Sequence, residues 1–168
     1  MLILVTGGQK SGKSRYAEQR ALALSAQPAY LATARKWDDD FLVRIARHQY
    51  ERQAAWINLE QEIDLAQHGY TGDALVLDCI TLWLTNLFTD ANYNADDAFA
   101  QAQGLWAYFM AQTPATVIAV GNEIGMGLHA ETQMGRHFVD LHGNFMQHLA
   151  RQADEVVLMV SGLPMKVK

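Results

Sequence analysis

Residues 7–14 read GGQKSGKS and stand between the apolar run LILVT at 2–6 and a segment of helical patterning that begins at Ser14. A G-x-x-x-x-G-K-[ST] pattern in that setting commits the first twenty or so residues to a strand, a tight loop and a helix. Glycines let successive backbone N–H groups curl around an anion at a helix N-terminus, whose dipole favours negative charge. The loop Gly7, Gly8, Gln9, Lys10, Ser11, Gly12, Lys13 and Ser14 is therefore read as a phosphate cradle. Lys13 is expected to reach the β- and γ-phosphates and Ser14 to hold Mg²⁺.

The rest of the chain repeats the strand and helix alternation. Continuous apolar runs occur at 2–6, 29–33, 74–78, 116–120 and 155–160, with AAWIN at 54–58 as a weaker sixth. Runs without alternation mark strands covered on both faces. Helical patterning covers Ser14 to Leu24, Asp39 to Arg52, Thr81 to Phe88, Ala95 to Gln112 and Thr132 to Gln152. The class is α/β, a mainly parallel sheet with helices on both faces. The tail SGLPMKVK is expected to turn at Gly162 to Pro164 and return as a short antiparallel edge strand. DANYNADD at 90–97 is expected to be the most mobile loop. At 168 residues, 1–168 is read as a single domain.

A formal net charge of −5 argues against a broad nucleic-acid surface and suits a small anionic ligand held in a local pocket. Cys79 is the only cysteine, which excludes an internal disulfide and fits a reducing cytoplasm. The start MLILVTGG lacks a basic leader, and no segment is long and apolar enough for a membrane span.

Asp78 ends the strand ALVLD, where a carboxylate can hold Mg²⁺ beside the phosphate loop. Within RIARHQYER at 44–52, a helix would place Arg44, His48 and Arg52 on one row. Flanking guanidinium groups would keep the His48 imidazole neutral and nucleophilic and could grip phosphate oxygens. The same spacing also fits an ordinary solvated face, with Arg47 and Glu51 as a surface pair. His68, His129, His137, His142 and His148 carry no comparable pattern. NEIGMG at 122–127 follows a strand at the edge where open α/β sheets bind ligands, so Asn122 and Glu123 are candidates for substrate or metal contact.

Taken together, ILVTGGQKSGKSRYAE at 3–18, LATA at 31–34, RIARHQYER with Trp56 and Glu60, LDCITLWLTNL at 77–87, NEIGMG, RHF with Asp140, and ADEVVLMVSGLPMKVK at 153–168 make a pattern that spans the chain. It resembles the bifunctional adenosylcobinamide kinase/adenosylcobinamide-phosphate guanylyltransferase family of cobalamin biosynthesis. The resemblance implies a RecA-like P-loop fold assembled as a homotrimer. ATP or GTP would phosphorylate adenosylcobinamide; GTP would then guanylylate a histidine, and GMP would pass to adenosylcobinamide phosphate.

The family's R-I-x-x-H pattern puts that histidine at His48. It also implies nucleotide contacts at Thr33, Ala34 and Arg35, at Gln49, Tyr50, Glu51 and Arg52, and at Glu60 on the guanine or ribose side. Departures from the family stand at Gln53, commonly Pro; at Gly121, commonly Thr; at His129–Ala130, commonly Val-Pro; at Val139, often Arg; and at Met146–Gln147, often Asn-Gln. The alternatives are a kinase without guanylyl transfer and a GTP-sensing protein without catalysis.

Overall fold

The computed structural model describes residues 1–35 and 55–168. The helix expected over Asp39 to Arg52 lies outside the described residues. Seven strands form one sheet: β1 (Leu2–Gly7), β2 (Ala29–Ala32), β3 (Ile57–Glu60), β4 (Ala74–Asp78), β5 (Thr116–Asn122), β6 (Glu155–Val160) and β7 (Leu163–Lys166), in the spatial order β3-β2-β4-β5-β1-β6-β7. Every pairing is parallel except β6 with β7. The helices described are α1 (Lys13–Leu24), α2 (Ile80–Asp90), α3 (Ala95–Gln112) and α4 (Gln133–Gln152), with a short 3-10 turn at Leu65–His68.

Both faces of the sheet are covered, which is why the strands read as unbroken apolar runs. Leu2, Leu4, Leu31, Leu75, Leu77, Val117 and Ala119 face α2, α3 and α4, where Trp83, Trp106, Phe109 and Phe145 fill the layer. Ile3, Val5, Val76, Ile118, Val120 and Val157 face α1, which presents Ala17 and Ala21. Small residues let that helix lie close to the sheet, and its Arg20 is tied to Glu155 at 3.1 Å.

Helix starts follow capping chemistry. Asn94 accepts from Asp96 N and Asp97 N at the start of α3, and Thr132 accepts from Gly135 N at the start of α4. The acidic stretch expected to be mobile is a compact turn: Asn92 and Tyr93 take positive φ of 50° and 64°, Tyr93 N donates to Phe88 O at 2.8 Å, and the Tyr93 ring packs edge-on against Phe88. The weak strand expected at 54–58 is instead Ile57–Glu60. It is an outer strand with alternating burial, so its apolar signal is diluted.

Gly121 and Met146 depart from the resembled family together, and the structure joins them. A Cβ on Gly121 would lie 2.7 Å from Met146 Cε and 2.9 Å from Met146 Sδ. Gly121→Thr should therefore cost about 1–3 kcal/mol of stability by overpacking. Adding Met146→Asn should recover most of it, as read by urea unfolding in a double-mutant cycle; strictly additive losses would show that the two sites are independent.

Candidate functional site

The site is built where β1 hands over to α1. Gly7 has φ +150°, and a Cβ there would sit 2.6 Å from Met159 O and 2.8 Å from Ser11 Oγ. Only glycine fits that close approach to β6. The loop then turns through Lys10 at φ 56° and Gly12 at φ +96°, and α1 starts without a side-chain cap or an acidic first turn. Its first N–H groups are left for an anion, as a phosphate site requires. Ser11 N donates to Gly8 O at 3.2 Å, and the buried Ser11 Oγ has no hydrogen-bond partner among the described residues. From the far end of the chain, the turn between β6 and β7 reaches this loop through Gly162 N, which donates to Ser11 O at 3.0 Å.

Lys13 is only 7% exposed, and its Nζ donates to Gly8 O at 2.7 Å. Burial lowers its pKa, opposed by the negative charge of Asp78 and by Cys79. One strand, β5, separates β1 from β4. The Ser14 hydroxyl still reaches across to donate to Asp78 Oδ2 at 2.8 Å. The Tyr30 hydroxyl donates to the same oxygen. Loop serine, loop lysine and strand-end carboxylate therefore meet in one place. The adjacent Cys79 thiol is pushed up to about 12, first by burial and then by Asp78, so it stays protonated.

A concavity opens past the ends of β2 and β3. Ala32 pairs with Asp78 across β2 and β4, and the chain leaving β2 forms one wall of a cleft of about 490 Å³. Its lining is Ala34, Glu60, Gln61, Glu62, Ile63, Asp64 and Gln67. Ala34 and Glu60, expected near a nucleotide, thus line the same space. Thr33 is placed differently from the expectation. It is fully buried, its hydroxyl donates to Cys79 O at 2.8 Å and accepts from Cys79 N at 3.0 Å, and its backbone N–H and carbonyl are bonded to Asp78 O and Asn86 Nδ2. Its polar groups are committed inside the protein, so Thr33 fastens the site rather than facing a ligand. Arg35 is paired with Glu62 at 2.9 Å and with Asp90 at 2.6 Å, and these carboxylates, Asp90 foremost, raise its pKa. His48, Gln49, Tyr50, Glu51 and Arg52 lie outside the described residues.

At the end of β5, Glu123 N donates to Gly7 O at 2.8 Å, which locks this strand end to the phosphate loop. The Glu123 carboxylate accepts from Gly125 N at 2.6 Å and Met126 N at 3.1 Å, closing its own turn. Behind it, Asn122 N donates to Thr81 Oγ1 at 2.9 Å, and Thr81 Oγ1 stands 3.1 Å from His142 Nε2. The Thr81 hydroxyl thus links the end of β5 to the imidazole on α4. Nothing in the spacing of α4 marks His142, because its partner lies on another helix.

Burial pushes His142 down to about 4, with Glu123 opposing. Near pH 6.5 the unfolded chain takes up the proton that the folded chain refuses. This contribution to stability is intact above pH 6.5 and is lost as pH falls towards 4. The loss amounts to about 3 kcal/mol. Urea unfolding at pH 7 and pH 4.5 should show a shallower pH dependence for His142→Gln than for wild type; equal slopes would remove His142 from the acid response.

A mostly parallel sheet, a glycine loop opening α1, and an Asp from the strand two places away bonded to the loop serine define a RecA-like P-loop nucleotide-binding fold. Solved structures agree on the fold: the flagellar accessory protein FlaH from Methanocaldococcus jannaschii matches with TM-score 0.51 at 13% identity over 99% of this chain and 77% of that one. An ATPase from the type III secretion system of pathogenic bacteria matches with TM-score 0.52 at 11% identity, over 98% of this chain and 56% of that one.

The chain belongs to the cobinamide kinase/cobinamide phosphate guanyltransferase family, whose model matches residues 3–167. It is 38% identical to the bifunctional adenosylcobalamin biosynthesis protein CobU of Escherichia coli (strain K12) and 39% identical to that of Salmonella typhimurium, over 100% of each chain. It is 36% identical to the bifunctional protein CobP of Pseudomonas aeruginosa, over 98% of this chain and 96% of that one.

Proposed function

We propose that this chain performs both family reactions on one phosphate loop: phosphorylation of adenosylcobinamide by ATP or GTP, then transfer of GMP from GTP to the product. The observation that carries the reading is the meeting of Ser14 Oγ and Asp78 Oδ2 at 2.8 Å beside the buried Lys13. In the first reaction the acceptor hydroxyl oxygen attacks the γ-phosphorus, the nucleoside diphosphate leaves, and the hydroxyl proton is released. Loop N–H groups and Lys13 hold the charge that spreads over the transferred oxygens. In the second, a His48 nitrogen displaces pyrophosphate from the α-phosphorus, and a phosphate oxygen of adenosylcobinamide phosphate then displaces His48. Two displacements spare a small site from holding GTP and a bulky corrinoid in one concerted attack.

The donor set fits Mg²⁺. Ser14 Oγ and the Asp78 carboxylate are hard oxygen ligands side by side, and no cluster of three or more His, Cys, Asp or Glu gathers among the described residues. That suits an ion held by one or two protein oxygens, with phosphate and water supplying the rest. Once bound, Mg²⁺ would neutralise charge on the β- and γ-phosphates. The cleft lined by Ala34 and Glu60 supplies carboxylates and amides suited to the N–H groups of guanine and the ribose hydroxyls.

The protein is read as a cytoplasmic homotrimer. The lone, buried Cys79 suits a reducing compartment. The outer strand β7 and the residue after it, with Leu163, Met165 and Val167 all at least half exposed, offer apolar surface for assembly. No described helix is long and apolar enough to cross a membrane.

Incubation with GTP labelled at the α-phosphate tests the proposal. Wild-type protein should acquire acid-labile, base-stable label, and His48→Ala should acquire none. An unlabelled wild-type chain that still phosphorylates cobinamide would reduce the protein to a kinase, whereas GTP binding without either transfer would leave a sensing role.

A further inference from the structure

Asn86 and Asp90 stand one turn apart on α2 and so share a face. Neither the phosphate loop nor the transfer chemistry calls on them. Asn86 has no exposed surface, and its Nδ2 donates to Thr33 O at 2.8 Å and to Glu62 O at 3.0 Å. One turn further out, Asp90 accepts both Arg35 Nη1 and Nη2, at 2.7 Å and 2.6 Å, while Arg35 Nε donates to Glu62 at 2.9 Å. Both levels therefore join the same two stretches of chain: the residues leaving β2 and the residues following β3. Both stretches line the same cleft, the first through Ala34 and the second through Gln61 to Asp64.

The two levels differ in kind. Asn86 binds backbone carbonyls, so it fixes the chain path whatever side chains the walls carry. The outer level is a fork of charge-assisted bonds, a geometry that constrains direction as well as distance. Exposed ion pairs add little to global stability, and the Asp90 and Glu62 side chains are 43% and 52% exposed. The effect of this network is local, on the spacing of the walls.

We propose that this face of α2 is a clasp that sets the width of the cleft, making Asn86 and Asp90 positioning residues for the nucleotide held there. The inference rests on the functional reading above, in which the cleft takes the nucleoside of GTP. Releasing the outer level lets the 33–35 wall move away from Glu62, so the free protein binds less tightly while the phosphate loop, once filled, works at its usual rate.

The test uses the full chain. Binding of guanosine 5′-[β,γ-imido]triphosphate with Mg²⁺ is measured by calorimetry, and steady-state kinase rates are taken with GTP and cobinamide. Asp90→Asn and Asp90→Ala, at a residue that does not line the cleft, should each raise Kd and KM for the guanine nucleotide at least 5-fold, with kcat within twofold of wild type and an unchanged Tm. Asp90→Glu, which keeps the charge, should restore most of the affinity. Asn86→Asp, which sets a carboxylate against two carbonyls, should raise Kd further; if it does not fold, the two surface variants decide the matter.

Wild-type Kd and KM in both Asp90→Asn and Asp90→Ala would overturn the proposal, as would a fall in kcat at unchanged KM. A wild-type protein that binds no guanine nucleotide would overturn the functional reading and this inference with it.

Discussion

Lys13→Ala should reduce kinase turnover by about 10³-fold, the scale of losing a preorganised charge at a transferring phosphoryl group. The side chain is already committed to the loop, with Nζ at 2.7 Å from Gly8 O and only 7% of the residue exposed. Burial weakens its hold on a proton, and the neighbouring carboxylate of Asp78 counters that, so the site keeps a desolvated cation aimed at the cradle. A desolvated charge acts more strongly on a phosphate than a solvated one. Lys13→Arg should not rescue the loss, because the planar guanidinium is bulkier and forks its donors. Steady-state kcat with nucleotide binding measured in parallel checks this, and near-normal turnover in Lys13→Ala would count against the loop assignment.

Asp78→Asn should lower turnover by about 10²-fold at fixed Mg²⁺ and raise the Mg²⁺ concentration needed for half-maximal rate. The substitution keeps the shape of the side chain but removes its charge. It also disturbs the oxygen on which Ser14 and Tyr30 converge. Tyr30→Phe provides the comparison: it removes one of the two donors and leaves the charge, so its effect should be much smaller. A Mg²⁺ titration of the three proteins separates these outcomes, and an Asp78→Asn enzyme with the wild-type Mg²⁺ requirement would dissociate Asp78 from the ion.

Much of this architecture is legible in the sequence because buried parallel strands advertise themselves. The runs at 2–6, 74–78, 116–120 and 155–160 fall inside β1, β4, β5 and β6, and the antiparallel tail strand stands at the edge as its Gly and Lys pattern implies. The phosphate loop and Asp78 are equally plain, since their chemistry demands particular residues at particular spacings. What the sequence hides is polar structure that depends on distant partners. Thr33 belongs to a motif stretch, yet its hydroxyl serves the Cys79 backbone. Asn86, Asp90, Glu62 and His142 read as ordinary helix or loop residues until the fold sets each beside its counterpart. The spacing of Asn86 and Asp90 was the one available hint, but two polar residues a turn apart usually signify a solvated face.

The pairing of β1 carries a consequence for how the protein comes into being. The strand that leads into the phosphate loop occupies residues 2–7, yet its sheet neighbours are β5 at 116–122 and β6 at 155–160. During synthesis from the N-terminus, the loop sequence is made more than a hundred residues ahead of the strands that support it. Long-range strand pairing is intrinsically slow and leaves unpaired edges in the meantime. The nucleotide cradle therefore cannot take shape until β5 and β6 have been made, and a bound nucleotide can stabilise it only from that point on.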